Sequence, residues 1–152
     1  MTTSTLPDIE ALTLKIEQET RVKAPIDVTF AALLEELGPS GIRPDGTPMD
    51  MKIEPVPGGR WYRDLGDGNG HYWATVQSIK RPALLEFCGP LFMSYPVANN
   101  VIYRLSQDGD ETVIKFCHSA FGVIQEDHRK GVVSGWTHIH ENVRKRAEKS
   151  KS

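Results

Sequence analysis

Among the 152 residues no apolar run approaches the roughly 20 that span a bilayer, which excludes a membrane-spanning helix. The N-terminal stretch from Met1 to Asp8 has no basic residue followed by an apolar segment, so it does not read as a secretory signal, and a cytoplasmic location is the expectation. Cysteine is scarce. Cys88 and Cys117 have no CxxC spacing and sit in apolar, strand-like surroundings, which reads as two reduced, buried thiols; a disulfide between them is the alternative. Neither sign of charge dominates: the formal net charge is −2 and the pI about 6.2, so nothing draws the chain to a phosphate backbone. The one basic cluster, Arg144, Lys145, Arg146, Lys149 and Lys151, is confined to the C-terminus, and nucleic acid is not an expected partner.

Motifs of several chemistries are also missing. His138 and His140 are two residues apart, which on a helix turns them about 200° from each other, and no His-x-x-x-His or paired-cysteine pattern occurs, so no metal site is expected. Ser119 is adjacent to His118 on a strand, which sends the two side chains to opposite faces, and no nucleophile elbow is present. The run Gly66-Asp67-Gly68-Asn69-Gly70 lacks the Lys-Ser/Thr of a phosphate loop and the spaced acids of a calcium loop, and reads as a hairpin turn. No cofactor is implied by any of these segments.

What is present is a clear order of elements. From Leu12 to Val22 apolar or small residues alternate with Lys15, Glu17, Glu19 and Arg21, the pattern of a strand with one wet face. Val28, Phe30, Ala31, Leu33, Leu34 and Leu37 then recur at helical spacing, with Pro25 or Asp27 suited to the first turn and Gly38 to the stop. The segment Gly38 to Pro48 carries too many glycines and prolines for a regular element and is a candidate lid. Six strands follow, over Met49–Glu54, Gly59–Asp64, His71–Lys80, Ala83–Cys88, Val97–Ser106 and Glu111–Ser119, joined by Gly-, Asp- and Pro-containing turns. The last element, about Gln125 to Lys149, puts Val132, Trp136, Ile139, His140, Val143 and Ala147 on one side. No repeat or linker divides the chain, so residues 1–152 read as one α+β domain with an ordered core of about 11–149. A domain of this length buries roughly 70% of its unfolded surface, enough for a core that contains a cavity.

This order, together with several local phrases, resembles the START-like (SRPBCC) superfamily, and within it the branch named after the activator of the Hsp90 ATPase. The phrases are Val22-Lys23-Ala24-Pro25 leading to Phe30; Pro57-Gly58-Gly59-Arg60-Trp61; Thr75-Val76 through Arg81-Pro82 to Leu85-Glu86-Phe87; His118-Ser119-Ala120-Phe121-Gly122; and Gly135-Trp136. The resemblance implies a helix-grip fold, a curved seven-stranded antiparallel sheet wrapped around a long C-terminal helix with an apolar tunnel between them. It implies no fixed catalytic motif, because members include lipid carriers, hormone receptors, cyclases and co-chaperones. Members of the branch are expected to carry leucines after the Gly-Trp pair, where this chain has His140, Val143 and Ala147. An imidazole on a buried face needs a hydrogen-bond partner, so His140 predicts a polar feature in the interior.

The candidate ligand-binding residues are His118, His140, Trp136, Phe116, Tyr103, Trp73, Phe87 and Phe92. Strand alternation puts His118 on the face of Thr112, Ile114 and Phe116, toward the helix, where it could approach His140. Each histidine is either a core residue satisfied by a backbone carbonyl or a tyrosine, or a contact for a polar ligand head, or an acid or base. The segment Gly89 to Pro96 places Leu91, Phe92, Met93 and Tyr95 in a proline-bounded loop, as a pocket rim or a patch for a partner. The first functional reading is binding of a small apolar or aromatic molecule, with no catalytic residue assigned. The second is a protein-interaction module of the co-chaperone type, as a monomer or homodimer. A cyclase- or lyase-like enzyme is the third.

Overall fold

The computed structural model describes residues 8–150, so the stretch Met1 to Pro7 that was read for a secretory signal lies outside it. A short 3-10 turn over Ile9–Leu12 leads into β1, Thr13–Val22, whose buried or half-buried positions beyond Thr13 are those the alternation predicts. Helix α1 spans Ile26–Leu37. Then come β2, Met51–Ile53; β3, Arg60–Gly66; β4, Asn69–Lys80; β5, Leu84–Gly89; β6, Val97–Asp108; and β7, Glu111–Gly122. The chain closes with α2, Glu126–Ser150. All seven strands form one antiparallel sheet in the order β1-β7-β6-β5-β4-β3-β2. The meander runs from β2 to β7, and β1 joins at the far edge along a ten-residue register, from Thr13 opposite Phe121 to Val22 opposite Thr112.

The glycine-rich run between β3 and β4 is more regular than its composition suggests. Gly66 pairs with Asn69, which leaves only Asp67 and Gly68 at the tip, both with positive φ. Two such residues make the hairpin turn whose twist matches that of the flanking strands. The loop after α1 also has internal order: Ile42 bridges Pro48, and the Met49 amide donates to the Gly41 carbonyl. The strand expected from Met49 is accordingly short.

The core lies between the concave face of the sheet and the two helices. On α1 the buried positions are Thr29, Phe30, Ala32, Leu33, Glu36 and Leu37, while Ala31, expected on the apolar side, is exposed. The departure at Glu36 has a partner: Arg146 of α2 donates to Glu36 Oε2 at 2.8 Å and to the Ser40 carbonyl at 3.2 Å. Arg146 therefore belongs to the helix–helix contact rather than to a free basic surface, and Arg144 likewise pairs with Glu141 and Glu148. Cys88 and Cys117 are free thiols and only half-buried, because both lie on the solvent side of the sheet, on either side of β6.

Rings fill the middle of the interior. Trp61 stacks on Phe87 at 4.6 Å and meets Trp73 edge-on at 5.1 Å, and Phe116 touches both Tyr103 and Trp136. Trp61 also closes α1, since its indole Nε1 donates to the Leu37 carbonyl at 2.6 Å. Helix ends leave carbonyls without intrahelical donors, and a buried one without any donor is costly. Trp61→Phe keeps most of the ring but strands that carbonyl, so it is expected to lower stability by about 2 kcal/mol in urea unfolding. A change below about 0.5 kcal/mol would contradict this role.

Candidate functional site

Two side-chain chains of hydrogen bonds cross the interior, and both are directional. In the first, Trp136 Nε1 donates to His118 Nδ1 at 3.0 Å. An indole N–H can only donate, so His118 accepts there and carries its proton on Nε2, which lies 2.6 Å from Asn99 Oδ1. The Asn99 amide group in turn donates to the Pro90 carbonyl at 3.2 Å. In the second, Gln18 Nε2 donates to Thr137 Oγ1 and the Val133 carbonyl, which turns Gln18 Oε1 toward His140 Nδ1 at 2.8 Å. His140 donates through Nδ1 and accepts at Nε2 from the Tyr103 hydroxyl, 3.0 Å away. Each imidazole is neutral, and each has both nitrogens used.

His118 and His140 are thus core histidines with protein partners, and Trp136 stands against both rings rather than the two meeting each other. Burial lowers both pKa values from the ordinary 6.5 to about 4. The tyrosine that satisfies His140 is also fully buried, and burial pushes its hydroxyl well above its ordinary value. The polar feature that His140 predicts is real, and it consists of Tyr103 and Gln18.

The hollow that touches the candidate residues lies at one end of α2. It has a volume of about 310 Å³ and is lined by Trp73 of β4, Phe92 of the β5–β6 loop, Arg43, Pro44 and Met49 of the loop after α1, and Val132, Trp136 and Ile139 of α2, with Asp127 and His128 at the helix start. Three of the eight residues predicted from sequence, Trp73, Phe92 and Trp136, come together here. His118, His140, Tyr103, Phe116 and Phe87 are buried away from it, in the packed middle. The Gly38 to Pro48 loop forms a wall of the hollow and is tied to α2, where His138 Nε2 lies 3.1 Å from the Ile42 carbonyl. In the Gly89 to Pro96 loop Leu91 and Met93 turn inward, each about 1% exposed, and Phe92 faces the hollow.

Two pocket residues that sequence reasoning passed over are glycines. Gly131 and Gly135 lie one turn apart on the pocket side of α2, and a Cβ built on either meets no atom within 4 Å. Glycine inside a helix costs about 1 kcal/mol relative to alanine. The sequence signal was available in their i, i+4 spacing within an otherwise apolar helical stripe. Among the described residues no group of three or more His, Cys, Asp or Glu is placed to hold a metal ion, and no helix is long and apolar enough to cross a membrane.

The architecture is that of the helix-grip fold, and solved structures share it. CalU16 from Micromonospora echinospora is 21% identical over 86% of this chain and 71% of its own, with a TM-score of 0.60. Protein MLL2253 from Mesorhizobium loti is 17% identical, covering 91% of this chain and all of its own, at 0.69. Ara h 8.0201 is 14% identical, over 89% and 97%, at 0.63. No family model and no curated protein matches the chain. The fold implied by the START-like resemblance is therefore present, while the Hsp90-activator branch gains no support.

The neutral histidines generate a pH dependence whose sign is fixed. Above pH 6.5 folded and unfolded chains both hold these imidazoles neutral; as pH falls toward 4 the unfolded chain takes up their protons first, and stability is lost. Each histidine accounts for about 3 kcal/mol across that window. Urea unfolding between pH 7 and 4 should show this decline, and His140→Leu should take up about one proton fewer on unfolding. A profile flat from pH 7 to 4.5 would contradict neutral, buried imidazoles.

Proposed function

We propose that the protein binds a small apolar or aromatic molecule in the hollow between α2, the loop after α1 and the β5–β6 loop. The observation that carries this reading is the pair Gly131 and Gly135. Both are exposed on the side of α2 that borders the hollow, and with no side chain at either position and no atom within 4 Å of where one would begin, the hollow stays open to a ligand. The surrounding wall is aromatic and aliphatic, the kind of surface that buries an apolar ligand, and its volume of about 310 Å³ lies at the lower end for small-molecule sites. The resemblance to a superfamily with many ligand carriers agrees with this.

The other two readings have less to stand on. The Leu91 and Met93 side chains that would serve an interaction patch are buried, and the two histidines that would serve as acid or base have no free nitrogen. The ligand-binding role thus passes from His118 and His140 to Trp73, Phe92, Trp136 and the residues around them.

Filling the hollow tests the reading without weakening the fold. Gly135→Leu places a side chain in the open space and improves helix propensity, so its melting temperature should equal or exceed that of the wild type. In a thermal-shift series with bicyclic and tricyclic aromatic compounds, the wild type should show a saturable rise, worth about 2.7 kcal/mol at a hundred times Kd, and Gly135→Leu should not. A ligand that shifts both proteins equally would place binding elsewhere.

A further inference from the structure

Strand β1 lies at the edge of the sheet, with β7 as its one strand neighbour. It is ten residues long, holds no proline, and its ladder with β7 runs without a bulge. Such an edge offers a row of backbone donors and acceptors to any strand that fits it, and natural sheets commonly blunt the row. Along an antiparallel strand the backbone groups alternate in side, one residue facing its neighbour strand and the next facing away. Two bonds to α2 show which residues face away. Arg129 donates to the Thr13 carbonyl at 2.8 Å, and the Lys23 amide donates to Glu148 Oε2 at 2.9 Å, so the odd-numbered residues turn their backbone groups outward. Helix α2 thus covers both ends of the edge. Between them the outward amides and carbonyls of Lys15, Glu17, Glu19 and Arg21 have no partner among the described residues.

The side chains of the same residues say what fits. Lys15, Glu17, Glu19, Arg21 and Lys23 are all exposed. Directly opposite charges of unlike sign stabilise an antiparallel pair, and like signs destabilise it. When a second copy of β1 is laid antiparallel along the edge, the position of the two-fold axis decides the pairs. An axis at Thr20 sets Glu19 against the partner's Arg21 and Glu17 against the partner's Lys23, each pair occurring twice. An axis at Ile16 gives only Lys15 against Glu17, and every axis between these two sets like charges together: Glu17 on itself, Lys15 on Arg21, or Glu19 on itself. A guard of one sign would repel every copy, whereas this row is complementary to itself. Within the chain Lys15 holds Glu17, and Arg21 holds Asp108 and Glu111, while Glu19 and Lys23 form no ion pair among the described residues.

We propose that β1 is a docking edge for a second copy of this chain, the two strands running antiparallel about an axis at Thr20 so that both seven-stranded sheets join into one. Glu19 and Arg21 exchange backbone hydrogen bonds across the axis while their side chains pair on the outer face. No residue that lines the hollow belongs to β1, so the contact is independent of ligand.

Sedimentation equilibrium of the full chain at low ionic strength tests this. The wild type should show a reversible monomer–dimer equilibrium that weakens with added salt. Glu19→Lys turns two attractive pairs into repulsive ones and should raise the dimer dissociation constant about tenfold, with the circular-dichroism spectrum of the dilute protein unchanged. Arg21→Glu should weaken the dimer likewise. An equimolar mixture of the two variants should dimerise again, because position 19 of one then faces an opposite charge at position 21 of the other. A wild type that stays monomeric at millimolar concentration would overturn the proposal. A dimer that Glu19→Lys leaves intact would overturn it too, and would move the contact to another face, such as the exposed Phe121 and Val123.

Discussion

The position of α2 on the sheet depends on hydrogen bonds that run in one direction through two neutral imidazoles. Trp136 can only give a proton and the carbonyl of Pro90 can only accept one, so every group between them has its role fixed. The Tyr103–His140–Gln18 chain is fixed in the same way by the Val133 carbonyl at its far end. A slide or rotation of α2 would break several of these bonds at once and leave buried donors and acceptors without partners. Leucines at such positions would bind the helix by area alone, with less preference for one register. The polarity of this interface therefore sets where the helix sits.

That constraint explains the hollow. With the middle of α2 pinned by Trp136 and His140, and Arg129 bonded to the Thr13 and Ala11 carbonyls on the β1 side, the N-terminal half of the helix cannot settle onto β4. Gly131 and Gly135 leave the resulting gap open rather than filling it, and the loop after α1 closes part of it through Arg43, Pro44 and Met49. A rigid, well-bonded middle beside an open end suits the proposed binding, in which a ligand would cover apolar surface that the chain itself leaves uncovered.

Much of this was legible in the residues. Alternation in β1 and β7 and the helical stripe of α2 arise from periods of 2 and 3.6, and the buried positions follow them closely. The departure at His140 correctly signals a polar interior, but not that Tyr103 and Gln18 absorb it, because pairing across strands and helix depends on register that no single element encodes. The same reason hid the link from Trp136 to His118. Glu36 reads as a surface acid until Arg146, 110 residues later, is brought beside it. His128 has no partner among its neighbours in sequence, because Tyr95 and Phe92 reach it from a distant loop. Glycine is most easily read as a break, and at 131 and 135 it marks space.

Where the molecule is bonded and where it is open can be read together in the nitrogen-detected proton spectrum of its indole and imidazole groups, recorded during a titration with the bicyclic or tricyclic aromatic compound that gives the largest saturable thermal shift. The account predicts His118 as the Nε2–H tautomer and His140 as the Nδ1–H tautomer at neutral pH, both unmoved by ligand. The Trp61 indole proton, bonded to Leu37, should also stay still while that of Trp73 shifts strongly. His118 or His140 signals that move with the ligand while Trp73 remains fixed would contradict this arrangement, and would return the binding site to the middle of the sheet.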